Sequence, residues 1–251
     1  MSPRFPSLPT LVVAAAAVLP LVAQAPRGSR SPSQPDLPAL LHTAEQALER
    51  KDFPTAVTAL KTVVERQPDF APGWFDLGFA YSNLHQNGEA ASAYQKAIAL
   101  KPGMFEARLN LGILLVETQK PETAATQLAK AVELKPGHAR AHLYYGRALG
   151  LTGHPGEAEK QFQQAAALDT KSASAPFDLG QLELGQKRFE EALAAFQKAA
   201  ELDPSLAQAE LGMALAAEGL KRPAEAAPHF AKYLAAKSDD LETRFHLARV
   251  E

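Results

Sequence analysis

Seven histidines, no cysteine and a few adjacent carboxylates are the residues of this chain that could hold a metal or move a proton. His138 and His142 stand four apart, the spacing that places two zinc-binding imidazoles on one helix face. No glutamate follows His138, and that residue falls in a loop of the pattern described below, so His142 is expected to be a packed side chain. Glu190-Glu191 and Asp239-Asp240 are adjacent in sequence and point in different directions, so neither makes a catalytic pair. There is no Gly-x-Ser-x-Gly elbow, phosphate loop or dinucleotide fingerprint. The chain is therefore expected to be no enzyme and to carry no cofactor and no metal. Without cysteine, disulfides, thiolate sites and a lipoprotein anchor are excluded. What remains is binding chemistry, with Arg140 and Arg147 placed to hold one carboxylate.

The elements that position these residues are repeated. Trp74, Leu77, Gly78, Tyr81, Ala90, Tyr94, Ala97 and Pro102 occupy positions 4, 7, 8, 11, 20, 24, 27 and 32 of residues 71–104. Pro68, Pro102 and Pro136 recur at steps of 34, and Pro204 falls on the same grid. Apolar residues at 3–4 spacing predict two helices per unit. Small residues at positions 8, 20 and 27 let two axes approach, and large ones at 4, 7, 11 and 24 fill the crossing. Asn87-Gly88 is expected to break the chain between the helices, and Pro102 to end the second one.

This pattern resembles the tetratricopeptide repeat (TPR), a helix–turn–helix unit of about 34 residues. The resemblance implies an all-α fold, a right-handed α-solenoid of stacked units with a C-terminal capping helix. The grid places repeats at residues 37–70, 71–104, 105–138, 139–172, 173–206 and 207–240, with a cap at 241–251. Thr170 stands where proline is expected, so the second helix of that repeat is expected to run further. Pro228 lies about a turn inside its helix and should remove one hydrogen bond.

In similar proteins the free side of each first helix lines a concave groove. Positions 2, 5, 9 and 12 are taken to face it. Phe79 and Ile113 at position 9, with Val116, Leu143 and Tyr144, are expected to form an exposed apolar patch of the kind that marks a partner site. The candidate groove comprises Phe75, Asp76, Phe79, Leu109, Asn110, Ile113, Val116, Arg140, Leu143, Tyr144, Arg147, Phe177, Asp178 and Gln181. Position 5 is equally read as packing against the neighbouring repeat. TPR domains that clamp chaperone tails place Lys at position 5 and Asn at position 9; Leu and Phe fill position 5 here, so that clamp is not expected.

Residues 11–23 are apolar, interrupted only by Pro20, and Ala23-Gln24-Ala25 gives a small–x–small cleavage pattern. Residues 1–25 are thus expected to be a secretory signal, too short for a comfortable membrane span. Cleavage after Ala25 would leave Pro26 first, which signal peptidases handle poorly, so cleavage after Ala23 or an uncleaved anchor stays open. Residues 26–36 form a Pro/Ser-rich tether. The net charge is −2; residues 1–36 hold three Arg and one Asp, leaving −4 on the repeats. That argues against nucleic acid. The expectation is an exported, periplasmic or secreted scaffold for a protein or peptide partner. The alternative is a self-associating structural protein.

Overall fold

A computed structural model describes residues 36–251, so the expected signal and all of the tether but Asp36 lie outside the described residues. Asp36 belongs to the repeat domain, because its carboxylate accepts from the Ala39 amide at 3.0 Å and caps the first helix.

Thirteen helices and no strand occur among the described residues. The first helices of the units are α1 (Leu37–Glu49), α3 (Ala71–Asn83), α5 (Phe105–Glu117), α7 (Ala139–Leu151), α9 (Ser174–Gly185) and α11 (Ala207–Gly219). Their second helices are α2 (Phe53–Arg66), α4 (Asn87–Leu100), α6 (Pro121–Leu134), α8 (Pro155–Leu168), α10 (Phe189–Leu202) and α12 (Pro223–Ala236). The last helix is α13 (Leu241–Val250). Each helix packs on the one before and the one after it, giving an α-solenoid. In addition α3 meets α5, α5 meets α7, α7 meets α9 and α9 meets α11. The first helices therefore form the crowded inner wall of the solenoid. Among the described residues no helix is long and apolar enough to cross a membrane.

The crossing within each pair follows the small–large pattern. A Cβ added at Gly78 would lie 2.7 Å from the Tyr94 ring, and one at Gly112 would lie 2.4 Å from Leu128 Cγ. Gly146 and Gly180 face Phe162 and Phe196 in the same way. Position 4 proves to be something other than an apolar plug. Trp74 Nε1, Arg108 Nε and His142 Nε2 donate to the carbonyls of Pro68, Pro102 and Pro136 at 2.9, 2.8 and 2.8 Å. In α3, α5 and α7 position 4 thus ties the helix to the loop that precedes it, which is why tryptophan, arginine and histidine interchange there.

The turn inside each repeat is not made by Asn87-Gly88, which opens α4. It is made by a left-handed residue two positions before the second helix: Lys51, His85, Gln119, Gly153, Lys187 and Lys221, with φ between 57° and 77°. Each closes a paired hydrogen bond, as when Gln119 N donates to Val116 O at 3.2 Å and Lys120 N donates to Leu115 O at 2.8 Å. Glycine fills this conformation only at Gly153.

Proline is also not what ends the second helices. Lys101, before Pro102, has φ −134° and ψ 85°; Asp169, before Thr170, has φ −129° and ψ 86°. Helix α8 stops at the same register as the others and does not run further. The Asp169 carboxylate accepts from Lys171 N at 3.3 Å, a local turn in place of the proline ring. Pro228 is accommodated within α12, which continues to Ala236.

Candidate functional site

Contact between successive first helices changes what the inner wall displays. Phe75, Leu109, Ile113 and Val116 are buried to 3, 6, 4 and 1% exposure, and Tyr144 is buried as well. The exposed apolar patch expected at Ile113, Val116 and Tyr144 is therefore absent. These side chains form the largest core cluster, holding α3, α5 and α7 together. Leu143 and Phe177 are half-buried, the latter edge-on to Phe196 at 5.7 Å. Phe79 is half-buried too, its ring edge-on to Phe53 at 6.1 Å, so it joins the first and second repeats.

What faces the groove is polar. Positions 2, 6, 9 and 13 lie at 4–3–4 spacing on one helix face. They supply Arg140, Tyr144 and Arg147 from α7, Asn110 and Glu117 from α5, Asp178 and Gln181 from α9, and Asp76 from α3. Arg147 Nε donates to Asp178 Oδ2 at 2.5 Å, an almost fully enclosed pair. Burial pushes the Asp178 carboxyl up, and the Arg147 guanidinium pulls it back. Burial likewise works against the Arg147 charge, but Asp178 outweighs it and the guanidinium is held more firmly protonated.

Tyr144 carries two guanidinium groups on its ring, Arg147 at 4.8 Å and Arg140 at 5.5 Å from the centroid. Arg140 makes no hydrogen bond or ion pair among the described residues, and its Nη2 is buried without a partner. It stands between two clefts. One, of about 360 Å³, is lined by Arg140, Tyr144, Arg147, Asp169, Ser172 and Ser174. The other, of about 110 Å³, holds Ser82, His85, Tyr94, Asn110, Glu117 and Arg140. Burial raises the Glu117 carboxyl, against the pull of Arg140, Arg147 and His85.

Further toward the N-terminus the groove turns acidic. Asp76 has no donor among the described residues; burial first, then the Glu45 charge, raise its pKa to about 7. Tyr94 is held neutral by burial at the floor beside it, 3.3 Å from Ser82 Oγ.

Glu117, Ser172 and Ser174 were not among the residues singled out from sequence. Glu117 was missed because the groove stripe was set at positions 5 and 12 where the helix presents 6 and 13. The two serines lie in and just after the loop between repeats, where no periodicity marks them. His142 is buried between Gln161, whose side-chain amide lies 2.7 Å from Nδ1, and the Pro136 carbonyl, which accepts from Nε2 at 2.8 Å. His138 caps α7 through Nδ1, which accepts from Ala141 N at 3.3 Å. No group of three or more metal-ligating side chains occurs among the described residues.

Stacked helix pairs with a polar inner wall define an α-solenoid. The tetratricopeptide repeat family matches residues 43–105, 75–137, 109–176, 152–207 and 177–242, and the chain belongs to that family. Curated relatives include tetratricopeptide repeat protein 37 of Xenopus laevis, 30% identical over 82 residues, or 33% of this chain. Another is the peroxisomal targeting signal receptor of Kluyveromyces lactis, 36% identical over 63 residues, or 25% of this chain. The chain spans only 5% and 11% of these relatives' lengths. Among solved structures, MamA is 26% identical, with a TM-score of 0.62 over 68% of this chain and 94% of its own. PilW, a type IV pilus biogenesis factor, gives 0.71 at 20% identity, covering 84% of this chain and 98% of its own. Pseudomonas aeruginosa PilF gives 0.70 at 20% identity, covering 85% and 97%. PilW and PilF bear on the fold alone.

Proposed function

We propose that this chain is an exported, non-enzymatic scaffold of the cell envelope that holds an acidic protein segment in its concave groove. The observation that carries the reading is the Arg140 guanidinium, with Nη2 buried and unpartnered at the edge of a cleft large enough for a side chain. An enclosed guanidinium nitrogen without an acceptor is costly, and a ligand carboxylate would supply one. Arg147 is committed to Asp178, so it positions Tyr144 and leaves Arg140 as the group that meets the ligand. Asp76 and Glu45 at the other end favour a basic residue, so the segment has a direction: acidic end at α7, basic end at α3. The anchoring is polar, in place of the apolar anchoring expected from sequence.

Export rests on residues 11–25. A photo-crosslinker at Gln181, exposed beside the groove, tests both parts in the native host. The reading expects capture of one envelope protein, with no capture from Gln197 on the exposed side of α10. The protein should be recovered outside the cytoplasm with its N-terminus near Ala25. Equal capture at both sites, or a cytoplasmic chain starting at Met1 or Ser2, would refute it.

A further inference from the structure

Between α5 and α7 an acid and a base line one small cleft without pairing. Glu117, at position 13 of α5, and Arg140, at position 2 of α7, both face the cleft of about 110 Å³. Neither makes a hydrogen bond or an ion pair among the described residues. Burial raises the Glu117 carboxyl, and Arg140 leads the cations that pull it down, ahead of Arg147 and His85. The other acids nearby are committed: Asp178 to Arg147, and Asp169 to the Lys171 amide at 3.3 Å. Glu117 is not, and its outer side stays open to groove water.

Arg140 can be met from either side. Its guanidinium rests 5.5 Å from the centroid of the Tyr144 ring, which Arg147 covers at 4.8 Å, and it also lines the cleft of about 360 Å³. Asp178 pins Arg147, so the ring keeps its place while the Arg140 side chain turns about its own bonds. Glu117 and Arg140 both end rotatable side chains, so they can close on each other across a cleft this small without moving α5 or α7. A carboxylate entering the larger cleft seeks the same donors. Two carboxylates around one guanidinium also repel, so each weakens the other's hold.

We propose that Glu117 is a resident competitor for Arg140, and that the acidic segment binds by taking Arg140 from it. This rests on Arg140 meeting the ligand, as proposed for the groove, and adds a threshold to it. A segment binds only as far as its acid outweighs Glu117, so this glutamate sets how much negative charge the groove demands of a partner. Removing the Glu117 charge therefore tightens binding. A glutamate that received donors of the ligand itself would give the opposite sign.

The probe is an acetylated tetraglutamate peptide, titrated by calorimetry at low salt into the full protein and its variants. Glu117→Gln should bind it about three- to tenfold more tightly than wild type, with an unchanged melting temperature. In Arg140→Ala that gain should vanish, because Glu117 acts through that side chain. A second readout is the Glu117 carboxyl itself, titrated by carbon NMR. Its midpoint should move up in Arg140→Ala and on saturating wild type with the peptide, since each takes the cation away. Weaker or equal binding by Glu117→Gln overturns the proposal. So does a gain that persists in full without Arg140, or a Glu117 midpoint that stays in place in Arg140→Ala. Binding that is equal in wild type and Arg140→Ala, or absent from both, defeats the groove reading and the competition together.

Discussion

Replacing Asp76 with Asn should stabilise the protein above neutral pH and remove most of one pH dependence. The Asp76 carboxyl sits in the inner wall without a donor, and burial with the nearby Glu45 charge raises its pKa from 3.8 to about 7. The fold therefore favours the protonated acid. In the unfolded chain the group ionises near pH 4. Between about pH 4 and 7 the unfolded state has released a proton that the folded state retains, so stability falls as pH rises through that window. Three units at 1.36 kcal/mol each set an upper bound of about 4 kcal/mol. Asp76 is partly open to groove water, which reduces the expected loss to about 1–3 kcal/mol. The assay is urea denaturation of wild type and Asp76→Asn at pH 4.5, 6 and 8. The two curves should agree near pH 4.5 and separate by that amount at pH 8, the variant being the more stable. Parallel pH profiles, or a variant less stable at pH 8, would mean that Asp76 is ionised and paired, and would refute the reasoning.

The left-handed turn residues give a second test. Gln119→Gly should raise stability by about 0.5–1 kcal/mol, and Gly153→Ala should lower it by about 1 kcal/mol, both measured by denaturant midpoint. Gly112→Ala should cost about 1–3 kcal/mol, because its Cβ would stand 2.4 Å from Leu128 Cγ; an unchanged melt would mean the crossing lies elsewhere.

The fold was legible because its signals are local and repeated. Glycine opposite a large residue at positions 8 and 24, at a fixed step, specifies a close helix crossing whatever lies around it. The turns were less legible, since only Gly153 advertises a left-handed residue. At His85, Gln119 and the three lysines, two backbone hydrogen bonds impose that conformation on an ordinary side chain. The proline grid overstated its own role, as the end of α8 at Asp169 shows.

The groove was the hardest part to read. Whether Ile113 and Val116 are displayed or buried depends on how closely α5 approaches α3 and α7, a distance between repeats that no pattern within one repeat encodes. Two of the four stripe positions, 5 and 12, gave way to 6 and 13, about 100° around the helix, and an apolar surface became a polar one. Arg140, Arg147 and Gln181, at positions 2 and 9, stay in the wall under either assignment.

The central claim is that Arg140 receives a carboxylate in this groove. The direct measurement is calorimetric titration of an acidic peptide, selected on an array against the full protein, into wild type and Arg140→Ala, with a thermal melt of each. The account predicts at least a tenfold loss of affinity in the variant, a smaller loss in wild type on adding salt, and melting temperatures that agree. Equal affinity for the two proteins, or selection of peptides without an acidic residue, would contradict it.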